Sequence, residues 1–239
     1  MTEPRAGGAD APVSTPPAPY RRSILVVEDE PLLRDALGRA LEGHGYEVVT
    51  AASAPDARRA FRRIDPDGVV LDVDLGPGPN GFELADALTE LGTGIAIVFL
   101  TNIPDPRFVG RDPDSLPPGV AYLRKSAVRD LDLLAQTVDA AIRGATEASM
   151  RHDRDPDRPL ASLSRGQVDV LRMVAAGYSN ARIAEERGIT LRAAEKAVER
   201  VCAVLGIDAL DGNPRVIAAR TFLDAGGRPA PGREEPARA

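Results

Sequence analysis

Aromatic side chains are scarce in this chain of 239 residues: they make up 4% of it, and tryptophan is absent. Proteins that bind single-stranded nucleic acid stack bases on aromatic rings, so the composition argues against such a platform. The chain also contains a single cysteine, Cys202, which excludes an internal disulfide framework and fits a reducing compartment.

Long apolar runs are absent as well. No stretch of 18 apolar residues occurs, and the N-terminus lacks the basic-then-apolar pattern of a signal peptide. These two absences predict a soluble, cytoplasmic protein that does not associate with a membrane.

Charge is distributed unevenly along the chain, whose net charge is −6. Residues 23–145 contain 12 basic and 20 acidic side chains, whereas residues 158–224 contain 10 basic and 8 acidic ones. The contrast predicts two modules with different partners, although the small basic excess of the second does not by itself establish nucleic-acid binding.

Composition divides the chain into five parts. Stretches rich in Pro, Ala and Gly predict a disordered leader over 1–21 and a disordered tail over 225–239. A charged segment that includes "RHDRDPDRP" predicts a linker over 146–159, between a front block at 22–145 and a back block at 160–224.

The front block alternates short apolar runs with segments of helical spacing. This alternation predicts a parallel sheet with helices on both faces, in which ligands bind at the carboxyl ends of the strands. Polar residues follow four of the five predicted strands, and they are Glu28, Asp29, Asp72, Asp74, Thr101 and, at the end of the fifth, Lys125. Each of these residues, taken alone, is best explained as a solvated loop residue. Their joint occurrence at four strand ends predicts a ligand-binding site.

The segments "ILVVEDE", "VVLDVDL", "FLT" and "YLRK" together resemble the receiver domain of two-component response regulators. The resemblance implies an α/β, flavodoxin-like fold with a five-stranded parallel sheet in the order 2-1-3-4-5. It also implies that a histidine kinase transfers a phosphoryl group to Asp72 and that the protein is not a turnover enzyme. Aspartate can act as such a nucleophile.

A metal site is expected beside the acceptor. Three clustered carboxylates repel one another unless a cation is present, and hard oxygen ligands suit Mg²⁺. The resemblance implies that Asp29 and Asp72 bind Mg²⁺ directly, that the Asp74 carbonyl completes the protein ligands, and that Glu28 acts through water.

The resemblance assigns three further roles: Lys125 pairs with the phosphoryl group, Thr101 turns to donate to it, and Tyr122 follows as the switch residue. Lys125 is one of two lysines among 30 basic residues, the other being Lys196. A compact ammonium approaches a phosphoryl group as a point charge, which a planar guanidinium does less well.

Two features depart from the receiver pattern. The loop after Asp72, "DVDLGPGPNG", is one residue longer than usual. Residues 102–119 contain five prolines at the place of the family's fourth helix, which predicts an irregular loop with at most one short turn. Activation is then expected to use the first and last receiver helices, or the final helix of the chain.

The back block predicts four helices that start near Ser164, Ser179, Thr190 and Pro214, with a tight "RGIT" connection between the second and third. A generic helical bundle is the simpler alternative. The third helix favours a small all-α helix-turn-helix domain, because an apolar stripe (Ala194, Val198, Val201, Leu205) lies apart from a basic one.

The same block resembles the NarL/LuxR-type helix-turn-helix, which implies binding to double-stranded DNA and a homodimer in the active state. The candidate DNA-binding residues are Arg182, Arg192, Glu195, Lys196 and Arg200. Glu195 is able to accept a hydrogen bond from cytosine N4, but it also repels phosphates.

The sequence therefore predicts a transcriptional response regulator that is phosphorylated on Asp72 and binds DNA. Two alternatives stay open: a receiver that works without phosphorylation, and a signalling adaptor or phosphate sink that acts through protein partners. An RNA-binding antitermination output is disfavoured by the helix-turn-helix landmarks.

Overall fold

The computed structural model describes residues 21–91, 94–128, 130–208, 210 and 212–231. All but one residue of the predicted leader, and residues 232–239 of the predicted tail, lie outside the described residues. None of the helices in the described part of the chain has the length and apolar character needed to cross a bilayer.

Five parallel strands form one sheet. They are β1 (Ser23–Val27), β2 (Glu47–Ala51), β3 (Gly68–Leu71), β4 (Ala96–Thr101) and β5 (Ala121–Arg124). Their order is β2-β1-β3-β4-β5, which confirms the predicted sheet. The three central strands are almost entirely buried, as expected for parallel strands that are covered on both faces.

Four helices cover the sheet. They are α1 (Pro31–Gly43), α2 (Ala54–Ile64), α3 (Gly81–Leu91) and α4 (Leu131–Ile142). Helices α1 and α4 pack together over one face, and α2 and α3 pack over the other. Helix α4 begins after a 3₁₀ turn at Lys125–Ala127, and Asp130 caps it by accepting the Leu133 N–H at 2.9 Å.

Residues 102–119 contain no α-helix, as their prolines predict, but they form two short turns where at most one was predicted. Two short 3₁₀ helices occur instead, at Pro106–Val109 and Pro113–Ser115. Each begins with a proline, where the missing N–H costs nothing, and each follows an aspartate that caps the turn.

Four helices form the C-terminal part: α5 (Arg165–Ala175), α6 (Asn180–Arg187), α7 (Leu191–Val204) and α8 (Pro214–Asp224). The side chains of Ser164, Ser179 and Thr190 cap α5, α6 and α7 as predicted. The apolar stripe of α7 faces the shared core of these helices, which confirms its predicted orientation. The fold is thus a receiver-type α/β sheet followed by a small helical region.

The two parts of the chain are packed against each other. The rings of Phe108, in the first 3₁₀ helix, and Phe222, in α8, lie 5.2 Å apart and are both fully buried. Residues 225–231 also cross this interface, since the Arg228 N–H donates to Phe108 and the Ala230 N–H donates to Arg172. This differs from the disordered tail predicted from residue 225.

The segment predicted as a linker also lies on the sheet. Arg151 pairs with Tyr122 beside the edge strand β5, and the backbone N–H of Arg124 donates to His152 Nδ1 at 3.0 Å. Asp153, next in the chain, is buried and binds Arg151 at 2.7 Å. The free edge of β5 is therefore partly covered by the chain itself.

Candidate functional site

The three predicted acids meet at the carboxyl edge of the sheet. Glu28 and Asp29 follow β1, and Asp72 follows β3, which is paired to β1 so that Val27 lies beside Leu71. Carboxylate oxygens of the three residues lie within 4.8 Å of one another. Glu28 and Asp72 are buried, whereas Asp29 is exposed, so the cluster opens to solvent on one side.

Lys125 reaches the same cluster from the end of β5. Its Nζ lies 2.6 Å from Asp72 Oδ2 and 2.7 Å from Glu28 Oε2. Burial lowers the pKa of Lys125, but the hydrogen bonds and negative charges of Asp72 and Glu28 outweigh it, so the pKa stands above its ordinary value. The ammonium is therefore held in its charged form between two carboxylates.

The charges of the cluster do not balance. Burial, and then the neighbouring charge of Asp72, raise the pKa of Glu28 even though Lys125 opposes this shift. One ammonium faces three carboxyl groups, so the site retains an affinity for a further cation. Oxygen donors with one side open to water fit Mg²⁺ in particular.

The loop after β3 is fitted closely around Asp72. The Asp74 N–H donates to Asp72 Oδ1 at 3.1 Å, and the Asp74 carboxylate pairs with Arg228 from the C-terminal segment. A Cβ added to Gly81 would lie 2.1 Å from the carbonyl oxygen of Asp72. Gly81, the glycine that ends this loop, therefore leaves no room for a larger side chain beside the Asp72 backbone.

The two expected switch residues lie on the neighbouring strands, and both are fully buried. The Oγ1 of Thr101 accepts the Ile103 N–H at 3.3 Å, and the Tyr122 hydroxyl donates to the Ile103 carbonyl at 2.8 Å. The Tyr122 ring packs beside Phe82 and Phe99. Both expected switch residues therefore bond to the backbone of Ile103, just after β4, one to its N–H and the other to its carbonyl.

A second group of candidate residues lies on α7, far along the chain from the acidic cluster. Arg192, Glu195, Lys196 and Arg200 are all exposed, whereas Ala194 on the opposite side is buried. Their spacing by three or four residues keeps them on one side of the helix. Within the described part of the chain, these four side chains are open to solvent.

Arg182 differs from the other candidates for DNA contact. Its guanidinium lies 3.8 Å from the centre of the Tyr178 ring, and its Nε lies 3.8 Å from Glu186. The side chain is half-buried on α6. These contacts give Arg182 a packing role within the helical region.

The response regulator receiver domain family matches residues 24–110. The transcriptional regulatory protein TdiR of Thauera aromatica is 29% identical over 187 residues, which are 77% of this chain and 80% of TdiR. The virulence factors putative positive transcription regulator BvgA of Bordetella pertussis is 28% identical over 172 residues, 68% of this chain and 80% of BvgA.

A solved structure of the two-component response regulator RcsB in complex with DNA aligns with 86% of this chain and 99% of that chain, with a TM-score of 0.55 and 18% identity. At this identity the likeness concerns the fold, and it extends over both the sheet and the C-terminal helices. These matches identify a response regulator receiver domain over residues 24–110, and the relatives that align with most of the chain are named as transcription regulators.

Proposed function

We propose that Asp72 accepts a phosphoryl group from a phosphohistidine of a sensor histidine kinase. The observation that carries the proposal is the position of Lys125, whose ammonium lies 2.6 Å from the Asp72 carboxylate in a half-open acidic cluster. A carboxylate oxygen of Asp72 attacks phosphorus, the phosphorus–nitrogen bond breaks, and its electron pair leaves with the imidazole. Lys125 then faces the new phosphoryl oxygens and neutralises part of their charge.

Mg²⁺ fits the same site. The carboxylates of Asp29 and Asp72 and the carbonyl of Asp74 would hold it, and Glu28 would act through water. The bound ion supplies positive charge where the phosphoryl oxygens gather. The excess of carboxylates over ammonium in the cluster supports this assignment.

Thr101 reports the modification in this proposal, whereas the inward movement expected of Tyr122 is already complete. Thr101 turns its hydroxyl towards the phosphoryl group, and Tyr122 stays inside the core, where its ring is already buried. The backbone of Ile103, whose N–H donates to Thr101 and whose carbonyl accepts from Tyr122, is the first part of the chain to shift.

The output of the protein is binding to double-stranded DNA through α7. The exposed side chains Arg192, Lys196 and Arg200 supply phosphate contacts, and Glu195 is placed to read a base edge. The RcsB structure is itself a complex with DNA and supports this assignment by its fold. A cytoplasmic homodimer is the expected active form, since paired helix-turn-helix units read two half-sites.

Incubation with acetyl phosphate and Mg²⁺, followed by intact-mass measurement, tests the phosphorylation step. The wild type is expected to gain one phosphate, and Asp72→Asn none. Asp86→Asn is the matched control, because Asp86 lies outside the cluster and pairs with Arg111. Equal gain by wild type and Asp72→Asn would remove Asp72 as the acceptor and favour an adaptor or a phosphorylation-independent receiver.

A further inference from the structure

The segment that follows α8, residues 225–231, brings an arginine to the edge of the acidic cluster. The guanidinium of Arg228 pairs with the carboxylate of Asp74, although 154 residues separate the two in the chain. Both side chains are about half exposed, and an ion pair at the surface contributes little to stability. What the pair changes is the charge beside the site, far more than the stability of the fold.

Backbone hydrogen bonds hold this segment in place independently of the Arg228 side chain. The Arg228 N–H donates to the Phe108 carbonyl at 3.2 Å. Two residues further on, the Ala230 N–H donates to the Arg172 carbonyl, also at 3.2 Å. The Arg228 guanidinium is therefore carried to Asp74 by an anchored backbone, and removal of its charge leaves that anchor intact.

Asp74 lies on the loop that borders the open side of the acidic cluster. Its N–H donates to Asp72 Oδ1 at 3.1 Å. Two residues further on, a Cβ added to Gly76 would lie 3.7 Å from Oδ2 of Asp29, the exposed acid of the cluster. The Mg²⁺ ligands proposed above include the Asp74 carbonyl but not its carboxylate, which is therefore left to pair with Arg228.

The charge of the Asp74 carboxylate matters because a phosphodonor is an anion. Lys125 is largely buried between Glu28 and Asp72, whereas Asp29 is exposed on the side that opens to solvent. An unpaired Asp74 carboxylate would add a second negative charge at this opening and repel the donor. The guanidinium of Arg228 neutralises that charge from a part of the chain that lies outside the sheet.

We propose that Arg228 is a positioning residue of the phosphorylation site, which admits an anionic phosphodonor to Asp72 by neutralising Asp74. This inference rests on the proposed phosphorylation. With acetyl phosphate, an oxygen of Asp72 attacks phosphorus, the bond from phosphorus to the acyl oxygen breaks, and its electron pair leaves with acetate. Arg228 forms and breaks no covalent bond in this step. It strengthens the binding of the donor and leaves the rate of transfer in the bound complex unchanged.

Phosphorylation of the full chain, followed by intact mass at several acetyl phosphate concentrations and saturating Mg²⁺, tests this role. In Arg228→Gln the donor concentration that gives half of the maximal rate is expected to rise about fivefold, as for one unit charge acting on another across water. The maximal rate is expected to stay the same. Arg228→Lys keeps the charge and is expected to behave like the wild type. Arg220→Gln is the matched control, because it removes an exposed arginine that pairs with Asp224 within α8.

Two further measurements separate a role of charge from a role in folding. Asp74→Asn keeps the backbone carbonyl and removes the charge that Arg228 neutralises, so its combination with Arg228→Gln is expected to recover the wild-type half-saturation. Acetyl phosphate is a dianion near neutral pH, whereas phosphoramidate is a monoanion. With phosphoramidate the shift caused by Arg228→Gln is therefore expected to shrink to about twofold.

The outcomes distinguish this inference from the proposed function. A folded wild type that gains no phosphate refutes the proposed function. A wild type that gains phosphate with the same half-saturation as Arg228→Gln refutes the role of Arg228 alone. That role is also refuted by a fall in the maximal rate alone, by an equal shift for both donors, or by a shift that neither Arg228→Lys nor Asp74→Asn reverses. If Arg228→Gln does not fold, Arg228→Met replaces it under the same criteria.

Discussion

The Nζ of Lys125 lies 2.6 Å from Asp72 Oδ2, although 53 residues separate the two in the chain. The same ammonium lies 2.7 Å from Glu28 Oε2, so one side chain bridges two carboxylates that follow two different strands. This arrangement holds the Asp72 carboxylate in place, as the proposed phosphoryl transfer requires. Its removal leaves two buried acids facing each other.

Lys125→Ala is expected to lower the free energy of unfolding by about 3 kcal/mol, as for a broken buried ion pair. Saturating Mg²⁺ is expected to recover part of the loss, because a bound cation stabilises the folded state and replaces the missing charge. Denaturant unfolding with and without Mg²⁺ measures both effects. The matched variant Lys196→Ala removes an exposed lysine. The account fails here if the two variants lose equal stability.

Gly81→Ala is expected to slow phosphorylation by acetyl phosphate about tenfold or more, since a small misplacement of a reacting group has effects of this size or larger. The added Cβ would fall 2.1 Å from the Asp72 carbonyl and push the acceptor out of place. Gly43→Ala is the control, because a Cβ there meets nothing within 4 Å. Normal phosphorylation of Gly81→Ala, measured by intact mass over time, would show that the loop tolerates the shift.

Stability is expected to fall as the pH drops below 6.5, through His152. Burial, and then the positive charge of Arg124, lower the pKa of His152, while Asp155 and Asp153 act in the opposite direction. Protonation of His152 is therefore less favourable in the folded state. The contribution of neutral His152 to the free energy of unfolding is complete above pH 6.5 and is lost as the pH falls towards the lowered pKa. Protonation would also end the acceptance of the Arg124 N–H by Nδ1.

Denaturant unfolding between pH 8 and pH 5 checks this sign, with His152→Gln as the variant that does not titrate. The wild type is expected to lose more stability than His152→Gln over this range. The variant His44→Gln is the control. A hydrogen bond to the Ala40 carbonyl raises the pKa of His44, so the contribution of His44 to stability is present below pH 6.5 and is lost as the pH rises. Parallel pH profiles for wild type and His152→Gln would contradict the assignment.

Arg192→Ala and Lys196→Ala are each expected to lower the slope of log affinity against log salt by about one on duplex DNA. Both residues are exposed on one side of α7. Binding titrations at several salt concentrations measure the slope. Arg62→Ala, which removes an exposed arginine of α2, is expected to leave it unchanged. If the α7 variants behave like Arg62→Ala, DNA binds elsewhere.

Much of the sheet and of the acidic site follows from local patterns. Apolar runs that end in Asp29, Asp72 and Lys125 mark strand ends, and parallel strands bring those ends to one edge. The caps of α5, α6 and α7 were equally visible, since Ser164, Ser179 and Thr190 bond to backbone only three residues away. Hydrogen bonds of such short range can be predicted from the sequence alone.

Contacts between residues that are distant in the chain could not be predicted from the sequence. The prolines of 102–119 predicted the loss of a helix, but no periodicity showed that this segment binds Arg158 and Phe222. The junction depends on single side chains, and single residues carry no pattern. The stretch 225–231 was expected to be disordered by composition, yet its backbone bonds to Phe108 and Arg172.

Location of the modified residue tests the central claim most directly. An aspartyl phosphate can be reduced with borohydride to homoserine, and peptide mass mapping then shows which position was labelled. After treatment with acetyl phosphate and Mg²⁺, homoserine is expected at position 72 and at no other acid of the cluster. Homoserine at Asp29 or Asp74, or no label anywhere in a folded chain supplied with Mg²⁺, would contradict the account.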